Sequence, residues 1–332
     1  MHQYKVFVTR QLPASLAPLE QIAEVEVWTE PQPPPHTLLM EQAIASDGLL
    51  CLLTDPIDSA MLSSATDLKV VSQMAVGYDN IDIETATHLG IPVGHTPGVL
   101  TNATADLTWA LLMAAARRVV EGDRFTRSGQ WNTWDPAGLL GLDLVGATLG
   151  IVGLGRIGTA VARRALGFDM HVLYTSPNPK SPELEQELKA RRVKLEELLA
   201  ESDVVAVHTP LSPSTYHLFG DRQFQQMKSS AIFINTARGS IVDPAALHRA
   251  LSTGAIAAAA IDVTDPEPIE VTNPLLTLKN LIITPHIGSA SHATRKKMAQ
   301  MAIANVIAGL KGERLPHCVN PDVYRQSVRE ER

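Results

Sequence analysis

The chain has 332 residues, 45% of them hydrophobic, and a formal net charge of -7 at pH 7. This length exceeds what one hydrophobic core usually organises, so we expect two domains. Its lysines and arginines are scattered along the sequence, which argues against the basic clusters of a nucleic-acid-binding protein and favours a small-molecule partner.

The N-terminal segment MHQYKVFVTR enters a strand-like pattern without the apolar stretch of a signal peptide, and no run of about 18 apolar residues occurs. We therefore expect a soluble, cytoplasmic protein that binds no membrane. The two cysteines, Cys51 and Cys318, have no Cys or His at metal-ligand spacing around them, so we predict no metal site. Cys51 lies in the apolar run GLLCLLT and is expected to be buried, and a cytoplasmic location disfavours a disulfide.

Short apolar runs alternate with helical patterns over the first hundred residues. The predicted strands are 5–9, 25–28, 48–54 and 68–74. Helical patterns cover 38–45 and 83–89, and the second begins after Asp82 as N-cap and ends before Gly90. Such alternation predicts a parallel sheet.

A long helical pattern over 101–118 leads to a second alternation that starts at Thr148. The predicted strands are 149–152, 171–175, 204–208, 231–235, 257–262 and 281–283, and the predicted helices include 157–166, 195–201 and 244–252. Six strands linked in this way are typical of a dinucleotide-binding sheet. A further helix is predicted over 291–310, and the last residues, VREER, are expected to be solvated.

These patterns predict an α/β protein with two doubly wound parallel sheets flanked by helices. The two long helices bracket the second sheet, so we expect a Rossmann nucleotide-binding domain over 101–289. It would be inserted into a flavodoxin-like substrate domain formed by 1–100 and 290–332.

A glycine-rich segment lies between the predicted strand TLGIV and the helix that follows it. Its residues, in order, are Gly153, Leu154, Gly155, Arg156, Ile157 and Gly158. The three glycines allow a tight turn and a close approach of backbone N–H groups to a pyrophosphate at the helix N-terminus. In this strand–glycine–helix context the motif predicts dinucleotide binding.

The second strand of this domain ends in Thr175 and Ser176, where an NAD-specific site usually has Asp or Glu for the ribose 2′-hydroxyl. The two hydroxyls can donate to a 2′-phosphate, and Lys180 can neutralise its charge. The alternative is that Lys180 is an ordinary solvent-facing lysine. We predict a preference for NADP(H), with NAD(H) possible.

Three ionisable residues follow successive apolar strands: Arg238 after AIFIN, Glu267 after AAAAID and His286 after LIIT. Singly, each has a structural alternative as a surface arginine, a turn acid or a loop histidine. Together they converge on the carboxyl edge of the sheet, which lines the ligand crevice in doubly wound folds.

This set suits the reduction of a 2-keto acid. Arg238 offers a planar fork for the substrate carboxylate and keto oxygen, and protonated His286 can donate its proton to the developing alkoxide. Glu267 can accept a hydrogen bond from the other ring nitrogen and fix the tautomer. Backbone N–H groups of Val76 and Gly77, in the turn VGYDN, can add charge stabilisation.

The sequence resembles the D-isomer-specific 2-hydroxyacid dehydrogenase family, and within it the branch that reduces glyoxylate and hydroxypyruvate. The motifs that carry the resemblance span nearly the whole chain in the family's order: AVGYDNID, TPGVLTNATADL, GQWNTW, VGLGRIG, INTARGSIVD, AIDVTDPEP and ITPHIGSA. The resemblance implies reduction of glyoxylate to glycolate and of hydroxypyruvate to D-glycerate.

By this resemblance Arg238 binds substrate, Glu267 pairs with His286, and His286 is the proton donor. It further implies that Val76, Gly77 and Ser289 touch the substrate and that Asp262 and Gly288 hold the nicotinamide end. The residues implied to line the cofactor groove are Thr104, Pro210, Thr215, Thr236 and Ala237. Trp134 matches an aromatic residue that closes the partner subunit's pocket, which implies a homodimer, although a tryptophan packed in its own domain is the alternative.

One departure from the family's pattern concerns the adenosine end, where the loop TSPNPK lacks the arginine that related NADP-binding members often carry. Two other functions stay open. One is a dehydrogenase of a larger D-2-hydroxy acid, which the missing carboxylate at 175–176 disfavours. The other is a dinucleotide-sensing, corepressor-like binding protein of the same fold. The choice between glyoxylate and hydroxypyruvate depends on pocket residues such as Leu52, Leu53 and Trp134.

Overall fold

The computed structural model describes residues 3–325, so the polar end VREER lies outside the described residues. Contacts divide the chain into two compact units, one made of Thr101–Ser289 and the other of Met1–Leu100 with Ala290–Arg332. Within 3–325, no helix is both long and apolar enough to span a membrane. Both cysteines are free, and Cys51 is buried as predicted.

The twelve strands of the described region follow the apolar runs of the sequence. They are β1 (Tyr4–Val8), β2 (Ala23–Val27), β3 (Gly48–Cys51), β4 (Val70–Gln73), β5 (Val93–Gly94), β6 (Thr148–Val152), β7 (His171–Thr175), β8 (Ala190–Arg192), β9 (Val204–Val207), β10 (Ile232–Asn235), β11 (Ala258–Ile261) and β12 (Leu281–Ile283).

Helices connect these strands. They are α1 (Ala17–Glu20), α2 (His36–Ile44), α3 (Ser59–Ser64), α4 (Ile83–His88), α5 (Thr101–Ala116), α6 (Val119–Arg127), α7 (Arg156–Ala165), α8 (Pro182–Leu188), α9 (Leu195–Glu201), α10 (Asp221–Gln226), α11 (Pro244–Ser252) and α12 (His292–Leu310).

The first unit contains a parallel five-stranded sheet in the order β2-β1-β3-β4-β5. This is the flavodoxin-like strand order of the predicted α/β class. All four residues of β3 and of β4 are buried, because helices cover both faces of a parallel sheet. The sequence did not reveal β5, which has two residues and therefore no readable apolar run.

The second unit contains a parallel seven-stranded sheet in the order β12-β11-β10-β9-β6-β7-β8. Its central order is that of a Rossmann sheet. The prediction of six strands was wrong by one, since β8 pairs with β7 at the edge. The sequence of β8 is ARR, and both arginines are exposed, so this edge strand has no hydrophobic pattern.

Helix boundaries follow local chemistry. The Asp82 carboxylate accepts a hydrogen bond from the Thr85 N–H at 2.9 Å, and Gly90 has a φ of +73°, so the predicted start and stop of α4 are confirmed. The helix predicted over 101–118 ends at Ala116. Arg118 has a φ of +53°, which breaks the helical path and starts α6, a helix the sequence analysis missed.

Helix α12 packs closely on the centre of the first sheet. A Cβ atom built at Gly309 would lie 2.5 Å from the Cβ of Val70, a fully buried residue of β4. Real Cβ atoms do not approach this closely, so the glycine sets the distance between helix and sheet.

We expect Gly309→Ala to destabilise the protein by about 1–3 kcal/mol, because the added methyl group overpacks the interface between α12 and β4. Ala304→Ser adds one heavy atom to the exposed side of the same helix and should cost less than about 0.5 kcal/mol. Urea unfolding of the two variants tests this difference. Equal stability of the two variants would contradict a close-packed Gly309.

Candidate active site

Two of the three glycines after β6 are required by their surroundings, and the third borders open space. Gly153 has a φ of +99°, and a Cβ atom there would lie 2.7 Å from the backbone nitrogen of Thr209. A Cβ atom at Gly158 would press on the Gly153 carbonyl and lie 3.1 Å from the side chain of Ile151. At Gly155 it would meet nothing within 4 Å, so the space beside the turn is open.

Helix α7 begins at this turn with its first N–H groups uncovered. Gly155 is the N-cap residue and provides no side-chain cap. A helix of ten residues with an uncapped N-terminus offers partial positive charge and hydrogen-bond donors to an anion. The open space beside Gly155 and this helix end fit the pyrophosphate of a dinucleotide.

The loop after β7 is held by two hydroxyl groups. The Ser176 hydroxyl accepts a hydrogen bond from the Leu154 N–H at 2.9 Å, which ties the loop to the glycine turn and leaves the hydroxyl proton for another acceptor. The Tyr174 hydroxyl donates to Glu185 at 2.5 Å and accepts from the Lys180 N–H at 3.0 Å. Burial and the Glu185 bond raise the pKa of Tyr174, so this phenol stays protonated.

Arg192 also reaches this loop, although it was not predicted as a site residue. Its Nη2 donates to the carbonyl oxygens of Ser176 at 2.9 Å and Pro177 at 2.8 Å. This contact could not be predicted from the sequence, because it depends on the unpredicted strand β8. The pairing of β8 with β7 places Arg192 beside Tyr174.

The predicted catalytic residues follow three adjacent strands of the second sheet. Arg238 follows β10, Glu267 follows β11 and His286 follows β12. The Nδ1 atom of His286 lies 2.5 Å from Oε1 of Glu267, and the two side chains are 26% and 29% exposed. This bond fixes the ring orientation and leaves Nε2 as the nitrogen that can exchange a proton with a ligand.

A buried carboxylate shapes the turn that carries His286. Asp262, which is 1% exposed, accepts hydrogen bonds from Thr284 Oγ1 at 2.6 Å, from the Ile287 N–H at 2.8 Å and from the Gly288 N–H at 2.7 Å. His286 lies between these donors with a left-handed φ of +52°, and its N–H donates to the Asp262 carbonyl at 2.9 Å. Asp262 is therefore a positioning residue for His286.

A buried amide does the same for the turn that carries Arg238. The Asn235 side chain donates to the Arg238 carbonyl at 2.9 Å and accepts from the Ala237 N–H at 3.0 Å. Arg238 Nη1 donates to the Ala237 carbonyl at 2.9 Å, so the guanidinium lies against its own turn. Asn235 was not predicted from the sequence, although it is the last residue of the strand that precedes the arginine.

The predicted cofactor-groove residues form two groups. Thr236 Oγ1 lies 3.0 Å from Thr108 Oγ1, which donates in turn to the Thr104 carbonyl at 2.8 Å. In the loop after β9, Thr215 Oγ1 donates to the Pro210 carbonyl at 2.8 Å.

His208 was not predicted, although it also stands at the end of β9. Burial lowers the pKa of His208 to about 4, so its ring is neutral at neutral pH. Within residues 3–325 its Nε2 has no hydrogen-bond partner.

In the first unit, side chains anchor the predicted substrate turn after β4. The buried Gln73 amide donates to the Gly77 carbonyl at 2.5 Å and to Asn80 Oδ1 at 2.8 Å, and His95 Nδ1 lies 3.0 Å from the Val76 carbonyl. A trans peptide holds its C=O and N–H on opposite sides. Anchoring the Val76 carbonyl therefore directs the Gly77 N–H away from the anchor.

In the part of the chain that the structure describes, no three His, Cys, Asp or Glu residues form a group able to hold a metal ion.

The family model named "D-isomer specific 2-hydroxyacid dehydrogenase, NAD binding domain" matches residues 109–288. A protein of Korarchaeum cryptofilum named glyoxylate reductase is 50% identical to this chain over 323 residues, which are 97% of each chain.

Two solved structures are also similar to this chain over nearly its whole length. A protein of Thermus thermophilus is 48% identical with a TM-score of 0.89, over 95% of this chain and 99% of its own. A glyoxylate reductase from Paecilomyes thermophila is 32% identical with a TM-score of 0.85, over 96% of this chain and 99% of its own. The chain has the nicotinamide-dinucleotide-binding domain described above and belongs to the D-isomer specific 2-hydroxyacid dehydrogenase family.

Proposed function

We propose that this protein reduces small 2-keto acids, with glyoxylate and hydroxypyruvate as the substrates to test first. The contact between His286 Nδ1 and Glu267 Oε1 at 2.5 Å carries the proposal, because it prepares one proton-exchanging nitrogen at the edge that also holds Arg238. The relatives named glyoxylate reductase support this choice of substrates.

Each of the three residues has a separate task. The nicotinamide cofactor, when bound, supplies the hydride that reduces the keto carbon. Arg238 binds the carboxylate and keto oxygen through its planar fork, and His286 Nε2 gives its proton to the oxygen that becomes the hydroxyl group. Glu267 keeps Nδ1 of His286 protonated and the ring fixed, so the proton that leaves is the one on Nε2.

The remaining predicted contacts belong to the same proposal. We assign Val76, Gly77 and Ser289 to the substrate, and the Gly77 N–H is a donor for its carboxylate. Asp262 and Gly288 are assigned to the nicotinamide end. In Asp262 both carboxylate oxygens already accept hydrogen bonds from the 284–288 turn, so its contribution is to hold that turn in place.

We further propose that NADP(H) is the preferred cofactor. No carboxylate is present at Thr175 or Ser176 to bind a ribose 2′-hydroxyl, and the Ser176 hydroxyl proton is available to a phosphate. Lys180 adds positive charge to the same loop.

We also propose that the protein is a homodimer in the cytoplasm. Trp134 is 78% exposed and Trp131 is 63% exposed, which argues against the alternative of tryptophans packed in their own domain. Leu140 and Val145 are exposed along the same segment. Such an apolar surface is typical of a protein interface, and a second copy of the chain is the partner that we propose.

The two alternative functions are less well supported. A corepressor-like protein needs the dinucleotide site but no aligned proton donor, whereas Glu267 and His286 are in contact here. A dehydrogenase of a larger hydroxy acid is disfavoured by the relatives' name.

Steady-state turnover with each keto acid, and with NADPH or NADH, tests the reaction and the cofactor together. We expect reduction of glyoxylate and hydroxypyruvate, with a higher kcat/KM for NADPH. A preference for NADH would remove the proposed phosphate site and keep the reaction class. Binding of dinucleotide without turnover would favour the corepressor-like alternative.

His286→Ala should lower kcat by at least about 100-fold, because the developing alkoxide loses its proton donor. Dinucleotide affinity should change little, and fluorescence titration with NADPH measures it. His171→Ala is the matched control, since this exposed histidine begins β7 at the opposite end of the strand from the ligand edge. A kcat for His286→Ala near that of the control would exclude His286 as the donor.

Gly155→Ala should weaken dinucleotide binding, whereas Gly153→Ala should lower stability. The added methyl group at residue 155 meets open space, so the protein should fold normally and bind NADPH at least roughly 10-fold more weakly. At residue 153 the left-handed φ and the Thr209 contact should lower stability by about 1–2 kcal/mol or more. Calorimetric binding and thermal melting separate the two effects. Unchanged binding by Gly155→Ala would mean that no ligand approaches this turn.

A further inference from the structure

The edge strand β8 brings an arginine to the loop that the sequence showed to lack one. In the pairing of β7 with β8, Tyr174 is the register partner of Arg192. Arg192 therefore stands at the carboxyl end of its strand, level with the start of the loop that contains Thr175, Ser176 and Lys180. Carboxyl ends of parallel strands form the ligand-binding edge of such a sheet.

The guanidinium of Arg192 is fixed on one side and available on the other. Its two Nη2 hydrogens go to the carbonyl oxygens of Ser176 and Pro177, at 2.9 and 2.8 Å. A guanidinium has five donor hydrogens, so the three on Nη1 and Nε remain. They have no hydrogen-bond partner within residues 3–325.

The neighbouring arginine shows the contrast. Arg191 donates to Glu197 at 2.6 Å and to Glu201 at 2.8 Å, so its charge is neutralised by α9. Successive residues of a strand point to opposite faces, which explains why the two arginines have different surroundings. Arg192 makes no ion pair with a described carboxylate, and its hydrogen bonds go to backbone carbonyls.

The charges around the loop favour an anion. Residues 175–181 contain Lys180 and no acid, and the carboxylate of Glu185 is hydrogen-bonded to the Tyr174 hydroxyl. A guanidinium donates and never accepts, so it binds a charged phosphate more strongly than the neutral oxygen of a ribose hydroxyl. Two parallel donors also match the spacing of phosphate oxygens.

We propose that Arg192 is the residue that determines cofactor specificity, by binding the adenosine 2′-phosphate together with Ser176 and Lys180. This inference rests on the proposed preference for NADP(H). It assigns that preference to an arginine of the edge strand β8, which takes the place of an arginine in the loop itself.

Calorimetric titration of the full-length protein with adenosine 2′,5′-bisphosphate, NADPH and NADH tests the proposal. Arg192→Gln should weaken binding of the bisphosphate and of NADPH by roughly 10- to 100-fold, because a charge-assisted bidentate contact is lost. Affinity for NADH should change less than about threefold, because the ribose hydroxyl carries no charge and is a much weaker partner for the guanidinium than a phosphate. Arg192→Lys should recover part of the loss, since it keeps the charge without the fork.

Arg191→Gln is the matched control, and it should leave the ratio of NADPH to NADH affinity within about threefold of the wild-type ratio, because exposed ion pairs act weakly on groups outside the pair. Three results would overturn the inference. They are an unchanged ratio in Arg192→Gln, an equal loss of NADH affinity in that variant, and the same ratio change in Arg191→Gln. A wild-type protein that binds NADH more tightly would overturn the proposed preference as well, whereas an unchanged ratio in Arg192→Gln with wild-type preference for NADPH removes the role of Arg192 alone.

Discussion

The buried carboxylate of Asp262 is the group on which the proposed catalytic edge depends. A carboxylate that is 1% exposed is costly unless hydrogen bonds satisfy it, and here the 284–288 turn provides three donors. Those bonds leave the turn few alternative conformations. They hold His286 in a left-handed φ of +52°, a strain of about 1–3 kcal/mol for a residue other than glycine. His286 can be partly exposed and still be rigid, because the Asp262 carboxylate that holds its turn is buried.

The same arrangement recurs at two other turns, one in each unit. Asn235 fixes the backbone around Arg238, and Gln73 fixes the carbonyl of Gly77 in the first unit. In each case a buried polar side chain at the end of a strand binds the backbone of the loop that follows. The residues that we propose to touch ligand are thereby separated from the residues that set the loop geometry, which is how accessible groups are kept in a fixed position.

The sequence revealed the groups that carry charge more readily than the groups that position them. Strands such as β9 and β10 were predictable because they are buried apolar runs. Arg238 and His286 were singled out because each follows an apolar run of the sequence. Asn235 and Gln73 were missed because a residue type does not show its partner. Strand β8 was missed because an exposed edge strand needs no apolar pattern, and the contacts of Arg192 exist only through its register with Tyr174.

The surroundings of Arg192 also bear on how much selectivity one residue can supply. A flexible ammonium such as that of Lys180 loses side-chain freedom when it binds a phosphate, and this loss offsets part of the electrostatic gain. The guanidinium of Arg192 is already held by two carbonyl oxygens, so less freedom remains to be lost. Preorganisation therefore favours Arg192 over Lys180 as the main source of the proposed discrimination between the two dinucleotides. It also explains why a loop without its own arginine can still suit a 2′-phosphate.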